Sequence, residues 1–150
     1  MNIRSYKPED WQRLCEIHDS SRLDELRLTV GTEAFLSLQQ TAETEGLFEG
    51  RLDVAELNGL VVGFVAYDDE ELTWLYVDPL YYRKGVGRNL LRHAIANAGP
   101  VFHSNVLEGN RPALQLYLSE GFIVVERMEG RLVGNEAFPA SGYLLKRRKE

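Results

Sequence analysis

Trp74-Leu75-Tyr76-Val77-Asp78-Pro79-Leu80-Tyr81-Tyr82-Arg83-Lys84-Gly85-Val86-Gly87-Arg88 leads an apolar, aromatic run through a proline turn into a basic glycine loop. Val86, Leu90, Leu91, Ala94, Ile95 and Ala98 then recur at helical spacing, and Gly99-Pro100 stops the pattern. A strand therefore enters a turn that opens a helix. The first amides of a helix have no partner within it and carry partial positive charge, so such a turn can hold a phosphate. Gly85 and Gly87 let the backbone approach an anion, while Arg83, Lys84 and Arg88 add charge. Gly-x-Gly alone also marks an ordinary tight turn. The spacing is not that of a nucleoside-triphosphate loop, and Leu90 stands where a dinucleotide fingerprint needs its third glycine.

Upstream, short runs rich in β-branched and aromatic residues cover 54–57, 60–67 and 72–77. Asn58-Gly59 separates the first two and is a strong hairpin signal; Asp68-Asp69-Glu70-Glu71 separates the next two. The pattern predicts an antiparallel three-strand meander with the four acids as a solvated turn. Further back, residues 2–6 suit a short strand, and Pro8-Glu9-Asp10 suits a helix start. Trp11, Leu14, Cys15 and His18 mark one face of that helix. Residues 20–46 read as helical but broken at Gly31, with Thr32 able to cap a second segment bearing Phe35, Leu36 and Leu38.

Downstream, residues 101–107 read as a strand and 111–120 as a helix. Residues 122–127 read as a strand, and a final strand at 143–146 follows a loop containing Gly134, Pro139 and Gly142. The helix belongs to Asn110-Arg111-Pro112-Ala113-Leu114-Gln115-Leu116-Tyr117-Leu118-Ser119-Glu120-Gly121-Phe122. Asn110 suits an N-cap, Pro112 is tolerated in the first turn, and Gly121 is placed to end the helix. On periodicity alone Tyr117 is a half-buried aromatic and Asn110 only a cap. The order of elements predicts one α/β (α+β) domain over residues 1–150, with helices packed on a mixed sheet.

Together the two motifs resemble those of the GNAT superfamily of N-acetyltransferases. The first is similar to its Gln/Arg-x-x-Gly-x-Gly/Ala loop. The second is similar to its Asn-x-x-Ala-x-x-x-Tyr-x-x-x-Gly-Phe pattern, matched by Asn110, Ala113, Tyr117, Gly121 and Phe122. One position departs: the Gln/Arg of the first motif is Tyr82. The resemblance implies a mostly antiparallel central sheet of six to seven strands with helices on both faces. It implies acetyl-CoA as co-substrate, with Leu75, Tyr76 and Val77 pairing to the pantetheine arm as an added strand would. Arg83, Lys84, Gly85, Val86, Gly87 and Arg88 would hold the pyrophosphate, Asn110 the pantetheine end, and Tyr117 the departing thiolate.

Acyl transfer from a thioester to an amine needs a neutral amine, a polarised carbonyl and a protonated leaving sulfur. An alkylamine is mostly charged at neutral pH, so a carboxylate or a water chain must take its proton. An amide from residues 75–77 is the expected donor to the developing oxyanion, and Tyr117 the expected acid. Glu71, Asp78 and Glu108 are the candidate bases, each more commonly a solvated turn carboxylate. Some family members carry a glutamate five residues before the motif asparagine, where this chain has Asn105, so a water relay is the preferred expectation. His103 could support it, while His93 reads as a surface residue. The acceptor site is expected between residues 20–45 and the hairpin loop 129–142, with Asp19, Asp24, Glu25 and Tyr143 as its polar groups. The competing reading is a catalytically idle acyl-CoA-binding sensor or regulatory module, which loss of the motif tyrosine would favour, yet Tyr117 is present.

Composition sets the frame. Among 150 residues, 44% are hydrophobic and 27% charged, the balance of an ordinary globular domain. The net charge of −6 argues against nucleic acid, including a tRNA acceptor, and suits a cationic amine. One cysteine excludes an internal disulfide, and the three histidines show no metal spacing. No long apolar run and no signal-like start point to a cytoplasmic protein without a membrane partner, with a homodimer among the arrangements open to it.

Overall fold

Consecutive residues of a strand face opposite sides of its sheet, and residues 60–67 are apolar on both sides. That strand must therefore be covered twice. In the computed structural model, which describes residues 1–150, it is β3 (Leu60–Tyr67) of a seven-stranded sheet. The other strands are β1 (Asn2–Ser5), β2 (Arg51–Leu57), β4 (Glu71–Val77), β5 (Val101–Leu107), β6 (Ile123–Leu132) and β7 (Asn135–Arg148). Four α-helices accompany them: α1 (Trp11–Leu28), α2 (Leu38–Thr41), α3 (Val86–Asn97) and α4 (Arg111–Ser119). The strand order is β1-β2-β3-β4-β5-β7-β6, antiparallel at every junction except β4 with β5.

One face of β3 presents Val62 and Val65 to Leu90, Leu91 and Ala94 of α3, in a cluster that also takes Phe102, Tyr117, Phe122 and Leu145. The other presents Val61 and Phe64 to Leu14 and Ile17 of α1 and Leu38 of α2. The expected sheet with helices on both faces is what forms. Gly63 lets α3 lie close on β3, because a Cβ there would meet Leu90 and Val86 side chains and the Tyr76 carbonyl at 3.0 Å.

Local chemistry explains most boundaries. Asn58 (φ 53°) and Gly59 (φ 80°) turn β2 into β3 in the left-handed region that a two-residue hairpin requires. Asp68 closes the acidic turn by accepting the amides of Glu70 and Glu71 at 2.8 Å. Helix α1 runs unbroken through Ser20-Ser21 to Leu28. The cap of α2 is Ser37 rather than Thr32: its hydroxyl accepts the Gln40 amide, and the Gln40 side chain accepts the Ser37 amide.

The last hairpin differs from expectation. Residues 129–142 are not a loop; only Val133-Gly134 turns, and Gly142 and Pro139 pair within the ladder with Met128 and Arg131. Pro139 is tolerated because β7 pairs with β5 only over residues 142–148, so its missing N–H faces no neighbour. Asn135 ties the tip back by donating to the Ala34 carbonyl at 2.9 Å.

Candidate active site

Strands β4 and β5 part almost as soon as they meet. Their parallel pairing is limited to Glu71 with His103 and Leu72 with Ser104, and Ser104 Oγ donates to the Leu72 carbonyl where it ends. Beyond that point β4 pairs with β3 alone. Asp78 donates to Val62 across this antiparallel ladder, so Tyr76 also turns its backbone to β3, while Leu75 and Val77 turn theirs into the gap. The three strand residues are thus divided: Leu75 and Val77 present backbone donors and acceptors along the gap, and Tyr76 lines it with its side chain.

The gap widens into a cavity of about 700 Å³, bounded by α1, β4, β5, α4 and the loop before α3. Its far end is the glycine turn. Arg83 (φ 64°) and Gly85 (φ 79°) hold left-handed conformations, and no side chain caps α3. The amides of the first turn of α3 are consequently left without a side-chain partner. The charged side chains behave differently from one another. Arg83 and Lys84 are exposed, with Lys84 over the Tyr81 ring, whereas Arg88 is turned away to Glu120 and Ser119. Arg88 therefore reaches the cavity with its amide.

Asn110 caps α4 by accepting the Ala113 amide at 3.3 Å, which orients its Nδ2 toward the cavity. Two turns on, Tyr117 is buried, its hydroxyl 3.4 Å from Ser104 Oγ at the closed end of the gap. Burial pushes its phenol up to about 12, Ser104 pulls it partly back, and the negative charge of Glu25 adds to the rise. The phenol holds its proton at any physiological pH. Glycine loop, outward-facing strand, capping asparagine and buried tyrosine are thus brought around one cavity.

A family description, "Acetyltransferase (GNAT) domain", matches residues 48–124. The chain is 33% identical to the peptidyl-lysine N-acetyltransferase YjaB of Salmonella typhimurium over 135 residues, 86% of this chain and 88% of the relative. It is 36% identical to YjaB of Escherichia coli, again over 135 residues and 86% of each. Among solved structures, yncA, a putative acetyltransferase from Salmonella typhimurium with its cofactor acetyl-CoA, superposes with a TM-score of 0.73. That match has 21% identity over 99% of this chain and 94% of the other. The chain belongs to the GNAT acetyltransferase family. It is an acetyl-CoA-dependent N-acetyltransferase.

The candidate bases of this acetyltransferase are not in its cavity. Glu71 lies 3.6 Å from His103 at the paired end of β4, Glu108 is bound by Arg127, and Asp78 is held by Arg13 and by its own turn. His103, occupied with Glu71, is outside the cavity as well. Asn105 does line it. His93 is not a free surface residue: its Nε2 lies 2.9 Å from Asp53, which also accepts the Tyr67 hydroxyl. Among the expected acceptor groups, Asp19 accepts the Leu38 amide and pairs with buried His18, joining α1 to α2, and Tyr143 packs on the α3-side core. Asp24 and Glu25 do line the cavity. Tyr82, the departure from the family loop, spans the mouth with its hydroxyl 3.0 Å from Ser21 and 3.2 Å from Asp24.

Proposed function

We propose that the enzyme moves acetyl directly from acetyl-CoA to a primary alkylamine, of a small molecule or peptide, that is cationic in water. The observation that carries this reading is the pairing of a buried, protonated Tyr117 at the closed end of the gap with two carboxylates, Asp24 and Glu25, in its wall. The amides of Leu75 and Val77 would pair with the pantetheine arm, and an amide of this strand would donate to the oxyanion. Direct attack is supported by two side chains that could otherwise carry the acetyl group being engaged elsewhere. Ser104 is bonded to the Leu72 carbonyl with no base beside it, and Cys15 packs in the core cluster on the α1 side. The relatives' description as peptidyl-lysine acetyltransferases makes the lysine side chain the first acceptor class to test.

The test is thiol release from acetyl-CoA with matched amines that differ in charge. Charged alkylamines should be preferred, and added salt should raise their KM more than that of acetyl-CoA, since exposed charges are screened. A preferred acceptor without positive charge overturns the cationic reading. Acetyl-CoA binding without thiol release from any amine would favour the idle acyl-CoA-binding module.

A further inference from the structure

We propose that Glu25 is the base that takes the proton of the acceptor amine, an inference that rests on the acceptor reading above. Three elements fix its carboxylate. Arg22 of α1 and the Tyr76 hydroxyl of β4 donate to Oε1, the latter at 3.2 Å, and Asn110 Nδ2 donates to Oε2 at 3.3 Å. The Asn110 amide cannot turn over without losing the Ala113 cap, so this donor is set by the fold. A carboxylate offers about four acceptor positions. Three are used here, which leaves one on Oε2, the oxygen with the single, longer contact. Glu25 is mostly buried, with 19% side-chain exposure, whereas Asp24 at the mouth is 40% exposed and bound by Arg27 and Tyr82.

The charged surroundings suit the task. Arg22 pairs with Glu25 and is shared electrostatically with Glu45, so the partly buried charges at this wall are not left unpaired. On the α4 side the facing titratable group is Tyr117, and on β4 it is Tyr76, whose phenol burial also raises. The charge of Glu25 adds to the rise of the Tyr117 phenol, so the two groups are electrostatically linked across the cavity. In the step, the bound alkylammonium gives one proton to Glu25 and its nitrogen lone pair forms the C–N bond. The C–S bond breaks with its electrons on sulfur. Nitrogen then loses a second proton; one of the two protons ends on sulfur by way of Tyr117 and the other in solvent.

Glu25→Gln keeps the size of the side chain and an oxygen for Arg22 and Tyr76. Its kcat should fall about 10²-fold at neutral pH, the low end for a positioned base, with acetyl-CoA affinity unchanged. The rate of the variant should climb with pH toward that of wild type, because hydroxide then supplies the neutral amine, whereas a merely structural loss would persist at every pH. A kcat within threefold of wild type, or a loss confined to the acceptor KM, overturns the proposal. Wild-type protein that acetylates no amine refutes the acceptor reading instead.

A separate observation concerns the sheet edge. Strand β6 has no outer neighbour, every residue but Leu132 is exposed, and Ile123, Val124, Val125 and Met128 are bare. In antiparallel pairing about Met128, Arg127 and Glu129, which pair with each other at 2.8 Å within one chain, would exchange partners across the two-fold axis, so the charges along this edge complement those of a second copy. The geometry points to a second copy of this chain as the occupant, closing two edges that would otherwise invite indiscriminate pairing. Light scattering should show a dimer, Arg127→Glu a monomer, and Arg127→Glu with Glu129→Arg a dimer again. A wild-type monomer at high concentration, or a double variant that stays monomeric, overturns it.

Discussion

Replacing Tyr117 with phenylalanine should lower kcat by about 10²–10⁴-fold, some 3–5 kcal/mol of barrier, while acetyl-CoA binds as before. The ring keeps its packing against Phe122, and Ser104 keeps its bond to the Leu72 carbonyl, so no buried polar atom is orphaned. A phenol near 12 is a weaker acid than an ordinary thiol at about 8.5. Transfer of its proton to a solvated thiolate would run uphill by roughly 5 kcal/mol. The loss of water that raises Tyr117 raises a thiolate in the same closed end, and the two affinities converge only as charge develops on sulfur. The hydroxyl therefore contributes to kcat and little to binding. Steady-state kinetics beside a binding titration on one preparation checks this, and the wild-type pH profile should show no downturn from Tyr117 below pH ~11, since its acidic form is complete there. A loss under about 10-fold would leave the thiolate to depart unaided.

Those parts of the site that depend on short-range rules were legible in the sequence. A capping asparagine, a tyrosine seven residues later, and glycines between strand and helix are local patterns, and each lies on the element expected. The gap itself came only through the family resemblance, which implies an added strand and with it an unpaired strand edge. What could not be read is anything set by how α1 crosses the sheet. Glu25 meets Asn110 across 85 positions of chain, and the contact exists only because α1 ends against the 108–110 turn. Gly109 makes that approach close: a Cβ there would stand 2.3 Å from the Leu28 carbonyl. Glu71, Asp78 and Glu108 were the better candidates by nearness in sequence, yet each is held by a partner that only the fold supplies.

The final hairpin shows the same limit. Glycine and proline mark breaks unless an edge relieves them, and Pro139 sits where β7 has a neighbour on one side only. No local signal distinguishes that position from a loop. Tyr82 is the converse case. Its side chain departs from the family loop, but the anion site behind it is built from backbone amides, so the substitution redirects a side chain to Ser21 and Asp24 and leaves the turn intact.

Gly87→Glu should cut acetyl-CoA affinity by about 10³-fold in a protein that folds normally. The position lies at N2 of α3, among the free amides, and lines the cavity. Its φ is not left-handed, and an added Cβ would meet Leu116 and Val77 carbons at 3.6 Å, ordinary contact, so a side chain is tolerated. Gly85, at φ 79°, would confuse charge with backbone strain and is the poorer choice. A carboxylate about 4 Å from a pyrophosphate charge opposes it by roughly 4 kcal/mol at an effective dielectric of 20, which sets the factor of a thousand. Gly87→Ala adds the same Cβ without charge and should stay within a few-fold of wild type. Calorimetry with acetyl-CoA, beside circular dichroism of both variants, gives the comparison. Equal affinities for wild type and folded Gly87→Glu would remove the first turn of α3 as the phosphate site, and equal losses in both variants would assign the effect to shape rather than to charge.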